Sequence, residues 1–84
     1  MKKEIIVPEI DSLDANEEAE EVEISQWFIE KGQKINKGEV LVEVMVDKAA
    51  FEIESDFNGK IIEIKRMEGE IVKVGEVIAI IEVD

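Results

Sequence analysis

"KGQKINKGEVLVEVMV" (residues 31 to 46) and "EGEIVKVGEVIAIIEV" (residues 68 to 83) are one pattern written twice. A shift of 37 residues lays Gly32 on Gly69, Gly38 on Gly75 and Glu39-Val40 on Glu76-Val77, with Ile35 over Val72 and Leu41 over Ile78. Upstream, Ile24 falls on Ile61, so each copy spans about 24 residues. Four of the five glycines fall in this register, and each copy reads strand, glycine, short strand, glycine, strand. Glycine accepts the positive φ that tight turns impose, so two of them six residues apart bracket a brief connecting strand.

Extended backward, the match sets "EIIVP" (4 to 8) beside "AFEIE" (50 to 54). The segments that follow differ in length, 13 residues from Glu9 to Glu21 against four from Ser55 to Asn58. The first copy therefore carries an insertion of about nine residues, and that loop holds Asp11, Asp14, Glu17, Glu18, Glu20 and Glu21. Asn58-Gly59 reads as the corresponding short turn. Strands are expected near 4 to 8, 21 to 29, 33 to 36, 39 to 46, 49 to 55, 59 to 67, 70 to 74 and 76 to 83. Eight short strands in two similar halves predict an all-β fold. It is a flattened barrel or sandwich of two small antiparallel sheets about a pseudo-twofold axis, each half giving strands to both sheets.

Composition agrees. Ile and Val together number 24 against two Leu, and β-branched side chains lose rotamer freedom in helices but fit a pleated, half-buried surface. "ANEEAEE" (15 to 21) permits a helical turn but lacks an apolar face, so it reads as loop. A chain of 84 residues makes one small domain, residues 1 to 84, with a single core and no room for a catalytic cleft beside a substrate domain. The longest apolar runs fall far short of the roughly 20 residues that span a bilayer, and no basic-then-apolar leader opens the sequence, so a cytoplasmic-type protein off the membrane is expected.

The inventory excludes more than it offers. Histidine, cysteine, tyrosine and threonine are absent, which removes most general acids, bases and nucleophiles and every Cys-based metal site. Ser12, Ser25 and Ser55 lack a histidine to activate them. The acidic run in the loop lacks the alternating oxygen ligands and sharp-turn glycine of a calcium site, and reads as a solvated or partner-facing loop. A net charge of -12 repels nucleic acid and favours partners with basic faces. The bare polypeptide is not expected to be an enzyme. Any chemistry belongs to something attached.

One lysine stands in a place suited to attachment. In "VEVMVDKAAFEIE" (42 to 54), Val42, Val44 and Val46 lead in at period two and Phe51 and Ile53 lead out, so Asp47-Lys48 occupies a tight hairpin turn. Lysines 31, 34, 37, 60, 65 and 73 sit beside glycines or on polar strand faces and read as solvated charge. Trp27 and Phe28 are adjacent, so a strand points them to opposite faces, one toward the core. Met45, Phe57 and Met67 read as packing residues.

"VMVDKAAFEI", the following "GKIIEI" and the preceding "EKGQKINKGEVL" together resemble the lipoyl domain of the dihydrolipoamide acyltransferases of 2-oxoacid dehydrogenase complexes, within the biotinyl/lipoyl-attachment family. The resemblance runs from Pro8 to the end of the chain. It implies a barrel-sandwich hybrid fold and a carrier domain that is not itself catalytic. It implies that Lys48 bears lipoic acid in amide linkage, with Asp47, Ala49 and Gly32 guiding a lipoate ligase or lipoyl transferase. The arm would carry acyl groups and reducing equivalents between a thiamine-diphosphate-dependent 2-oxoacid decarboxylase, an acyltransferase core and the flavoprotein dihydrolipoamide dehydrogenase. The acidic loop, with Asp11, Asp14, Glu17, Glu18 and Glu20, would contribute to partner recognition. The location implied is the cytoplasm, or the mitochondrial matrix if a eukaryotic leader has been removed. Two features depart from the family pattern: Met45-Val46 stands where Glu-Thr is usual, and the acidic loop is long. A biotin carrier, whose lysine is usually flanked by methionines, and an unmodified adaptor module of similar fold are the alternatives.

Overall fold

The computed structural model describes residues 1 to 9, 20 to 46 and 48 to 84. They form eight strands: β1 (Lys2–Ile6), β2 (Glu21–Trp27), β3 (Lys34–Ile35), β4 (Val40–Val46), β5 (Ala49–Glu54), β6 (Gly59–Ile64), β7 (Ile71–Lys73) and β8 (Val77–Val83). Two four-stranded antiparallel sheets result, ordered β1-β8-β6-β3 and β5-β4-β2-β7. Exchanging β1 with β5, β2 with β6, β3 with β7 and β4 with β8 turns one order into the other. This is the twofold relation that the sequence repeat demands, with each half giving two strands to each sheet.

The symmetry reaches the irregularities. The β2–β4 register shifts between Ile24 and Gln26, and the β6–β8 register shifts between Ile61 and Glu63, the same positions displaced by 37. The Gly32 amide donates to the Ile61 carbonyl at 2.6 Å, and the Gly69 amide donates to the Ile24 carbonyl at 2.8 Å. Both glycines hold φ near +90°, with open space where a Cβ would project, so backbone conformation and not crowding selects them. Side chains close the turns in parallel fashion: Gln33 Oε1 accepts from the Glu30 amide and Glu70 Oε2 from the Met67 amide.

Inward positions supply the core. Val22, Ile24, Leu41, Val42, Val44, Val46 and Ile53 come from one sheet, and Ile5, Ile35, Ile61, Ile78, Ala79 and Ile81 from the other. Fully burying one such side chain contributes about 1.5–3 kcal/mol. Leu41 and Val42 are adjacent yet both buried, because the β4–β5 register shifts between Val40 and Val42; Ile78 and Ala79 repeat the arrangement in β8.

Two expectations need correction. Ile5 faces Ala79 and Ile53 faces Val42, so β1 corresponds to β5 with an offset of 48, not 46. The first strand accordingly ends at Ile6, two residues early, and the insertion is eleven residues, the difference between the offsets of 48 and 37. A two-residue slip keeps every side chain on its face, so hydrophobic alternation cannot detect it. Second, Gly59 is not a turn glycine. It opens β6 as a buried residue paired with both Ile35 and Val83, and a Cβ there would overlap the Glu82 carbonyl.

Candidate functional site

The β4–β5 hairpin is anchored along its length. Val42, Val44 and Val46 are buried on β4, Ile53 is buried on β5, and Phe51, paired with Val44, packs against the same core. The last pair is Val46 with Ala49, which leaves a two-residue connection carrying Lys48. Lys48 is exposed and makes no ion pair among the described residues. Stiff β-branched residues thus hold the base of the tip while the lysine leaves it into solvent. The amine ends a chain of four methylenes, and a carboxylic acid joined to it as an amide would gain a long, flexible tether on a fixed mount.

The neighbouring residues divide. Ala49 is half-buried beside Lys48, while Asp47 lies outside the described residues. Met45 points to the outer face, paired with Ala50, whereas Val46 is core. Of the two residues that stand where Glu-Thr is usual, therefore, only Met45 alters the surface.

Gly32 is not brought to the tip. Strand β2 runs antiparallel to β4, pairing Glu23 with Met45 and Trp27 with Val42, so the turn beyond β2 lies beside the start of β4. The Phe28 amide donating to the Leu41 carbonyl at 2.9 Å marks that end. Its mirror relation to Gly69 gives Gly32 a structural reason to exist in any molecule of this fold. Glu20 and Glu21, by contrast, lie at the tip end of the sheet, since Glu23 sits across from Met45; Glu20 is exposed and its carbonyl accepts from the Val74 amide at 3.0 Å. Asp11, Asp14, Glu17 and Glu18 lie outside the described residues, as does most of "ANEEAEE".

Other candidates are absorbed by structure. The Ser25 hydroxyl donates to Glu43 Oε2 at 3.0 Å, and buried Ser55 donates to the Phe57 carbonyl at 2.6 Å while accepting from the Phe57 amide. Lysines 31, 34, 37, 60, 65 and 73 are all exposed. Trp27 is half-buried with its indole N–H on the Arg66 carbonyl at 2.8 Å, and Phe28 is exposed. Met67, expected to pack, is 60% exposed in the loop between β6 and β7. Arg66 donates to Glu76, which holds the Glu76 carboxyl below its ordinary value, helped by the Lys73 amide. Among the described residues there is no cluster of carboxylates able to hold a metal and no helix long and apolar enough to cross a membrane.

Comparison with known proteins points the same way. A family model described as biotin-requiring enzyme matches residues 3 to 81. The lipoamide acyltransferase component of the branched-chain alpha-keto acid dehydrogenase complex of Bacillus subtilis is 43% identical over 61 residues, covering 73% of this chain and 14% of that protein. The dihydrolipoyllysine-residue acetyltransferase component of the pyruvate dehydrogenase complex of the same organism is 40% identical over 65 residues, covering 77% and 15%. The chain thus spans about a seventh of these relatives. Among solved structures, the lipoyl domain of the 2-oxoglutarate dehydrogenase complex of Azotobacter vinelandii superposes with a TM-score of 0.70, covering 93% of this chain and 95% of that one at 22% identity. That likeness establishes the fold.

Proposed function

This chain belongs to the biotinyl/lipoyl-attachment family, and on that premise we propose that it is a lipoyl carrier domain whose Lys48 bears lipoic acid. The observation that carries the reading is a single exposed lysine on a two-residue hairpin connection, anchored by buried residues on both strands. The fit is chemical as well as geometric: an amide needs an accessible amine, and a mobile arm needs a mount without a cleft to trap it. Lipoic acid is favoured over biotin because Ala49 follows Lys48 and methionine flanks it on neither side, and because the relatives named above are lipoamide and dihydrolipoyllysine acyltransferase components.

When attached, the dithiolane supplies a disulfide that is reduced as it takes up an acyl group and is reoxidised after that group has passed to coenzyme A. The protein's own part is mechanical. The core fixes the hairpin, the hairpin fixes the origin of the arm, and the arm's length raises the effective concentration of its end at any active site within its sweep. By this reading the domain is not catalytic, works inside the cytoplasm or matrix, and serves a 2-oxoacid decarboxylase, an acyltransferase core and a flavoprotein dehydrogenase. Ala49 and Asp47 adjoin the amine that a lipoate ligase or lipoyl transferase must reach, and Gly32 supports the fold that presents it. The acidic loop with Asp11, Asp14, Glu17, Glu18 and Glu20 contributes to the choice of decarboxylase.

Reductive acylation tests this function. Lipoylated domain is offered to decarboxylases with branched-chain 2-oxoacids, pyruvate or 2-oxoglutarate, and acylation of the domain is followed by mass. Acylation by one of them, absent from Lys48→Arg, is expected. Failure with all three would remove the carrier role.

A further inference from the structure

The pseudo-twofold axis provides an internal control for the surface. On the sheet without Lys48, one outward row crosses all four strands as Lys2, Glu82, Lys60 and Lys34. Its symmetry copy on the sheet with Lys48 reads Ala50, Met45, Glu23 and Ile71. The same backbone positions are fully charged on one face and mostly apolar on the other. Folding does not require the apolar version, because the charged row shows that the backbone accepts lysine and glutamate there. Nor does protection of the sheet edge: Lys34 is a suitable edge residue on β3, whereas on the equivalent edge strand, β7, the apolar Ile71 is 59% exposed.

Charge breaks the symmetry in the same place. The strands of the Lys48 sheet carry five carboxylates against the one lysine Lys73, while those of the other sheet carry four lysines against three carboxylates. Glu43 and Glu52 face each other directly on β4 and β5, a like-charge pair that costs the free domain stability. The apolar row begins at Ala50, two residues from Lys48, and runs roughly 14 Å across the sheet to Ile71.

We propose that this outer face is a docking surface for a partner protein that presents an apolar side chain inside a rim of lysine and arginine. Ala50, Met45 and Ile71 supply the apolar contacts of the row, Glu23 stands between Met45 and Ile71 within it, and Glu43 and Glu52 flank it on β4 and β5. An apolar centre with a charged rim is the division of labour of protein interfaces, the centre giving residence time and the rim giving encounter rate and orientation. The proposal rests on the carrier reading, for the partner it specifies is the enzyme that loads the arm on Lys48. An enzyme admitting the extended arm brings the mouth of its site up to the hairpin, and its rim then lies over the row that starts there.

The probe is the thiamine-diphosphate-dependent decarboxylase of a branched-chain 2-oxoacid complex, assayed for reductive acylation of domains whose lipoylation has been verified by mass. Wild type is compared with Ile71→Lys, with Ala50→Lys/Ile71→Lys, and with the opposite-face control Lys34→Ile. Thermal melts confirm that each is folded, as the charged symmetry copies indicate they will be. The expected result is a loss of kcat/KM of about tenfold for Ile71→Lys and more for the double variant, with Lys34→Ile unchanged and wild-type kcat/KM falling as salt rises. Equal rates for wild type and both row variants overturn the proposal, as does an equal loss in Lys34→Ile, or a wild-type domain acylated no faster than free lipoamide. Absence of lipoylation at the outset instead defeats the carrier reading. The two failures are thus distinguishable.

Discussion

Replacing Gly59 by alanine separates two reasons for a glycine that the sequence cannot tell apart. At Gly69 a Cβ would meet nothing within 4 Å, and only the φ of 92° resists it. Placing an L-residue in the left-handed region costs roughly 1–2 kcal/mol. At Gly59 the backbone is ordinary, but the Cβ would overlap the Glu82 carbonyl, a fixed group in the middle of a sheet. Relief requires β6 to move away from β8, straining the register of Gly59 with Val83 and Lys60 with Glu82. Overpacking of this kind costs about 1–3 kcal/mol, and each weakened ladder hydrogen bond adds about 1 kcal/mol, for a sum near 3–5 kcal/mol. In a domain of this size 1 kcal/mol moves Tm by about 4–8 °C, so Gly69→Ala should melt roughly 4–16 °C below wild type and Gly59→Ala roughly 12–40 °C below. The entropy that alanine removes from the unfolded chain is common to both variants and cancels in the comparison. Circular dichroism melts, with urea titrations to check that m is unchanged, make the measurement. A Gly59→Ala protein as stable as Gly69→Ala would refute the reasoning.

Three further outcomes are expected. Lys48→Arg, being exposed at the tip, should leave stability within about 0.5 kcal/mol of wild type; a larger loss in urea titrations would mean that the lysine is part of the structure and not displayed by it. Glu76 is held below the ordinary carboxylate value of 4.5, first by the hydrogen bond from Arg66 and then by the Lys73 amide, so its stabilisation is complete above that value and fades as pH falls through the depressed one. Tm measured from neutral to acid pH should therefore drop less steeply below that value in Glu76→Gln than in wild type; identical slopes would remove the linkage. Deleting residues 11 to 20 should lower kcat/KM for reductive acylation by about tenfold while leaving the domain folded, and an unaltered kcat/KM would show that the acidic loop takes no part in recognition.

The architecture was largely legible because the repeat is written in residues with few alternatives. Four glycines in a 37-residue register fix four positive-φ turns, and the β-branched runs between them fix the strands. The place of Lys48 at a hairpin tip was legible for the same reason, since apolar alternation stops at Val46 and resumes at Phe51 and Ile53. The register of β1 was not, because a shift of two residues leaves every apolar residue on its own face. Gly59 resembled its neighbours in sequence, and only the approach of β8 reveals that it serves contact instead of turning. Nor could the row of Ala50, Met45, Glu23 and Ile71 be seen, for its members come from four strands and meet only through pairing. Met67 followed the rule that methionine packs, yet it lies in a loop outside the core.

Intact mass measured after co-expression with a lipoate ligase tests the central claim most directly. The account predicts an increase of roughly 188 Da that maps to Lys48 and vanishes in Lys48→Arg, while biotin would add roughly 226 Da. An unmodified wild-type domain beside a fully labelled control domain, or a label found on any other lysine, would contradict it.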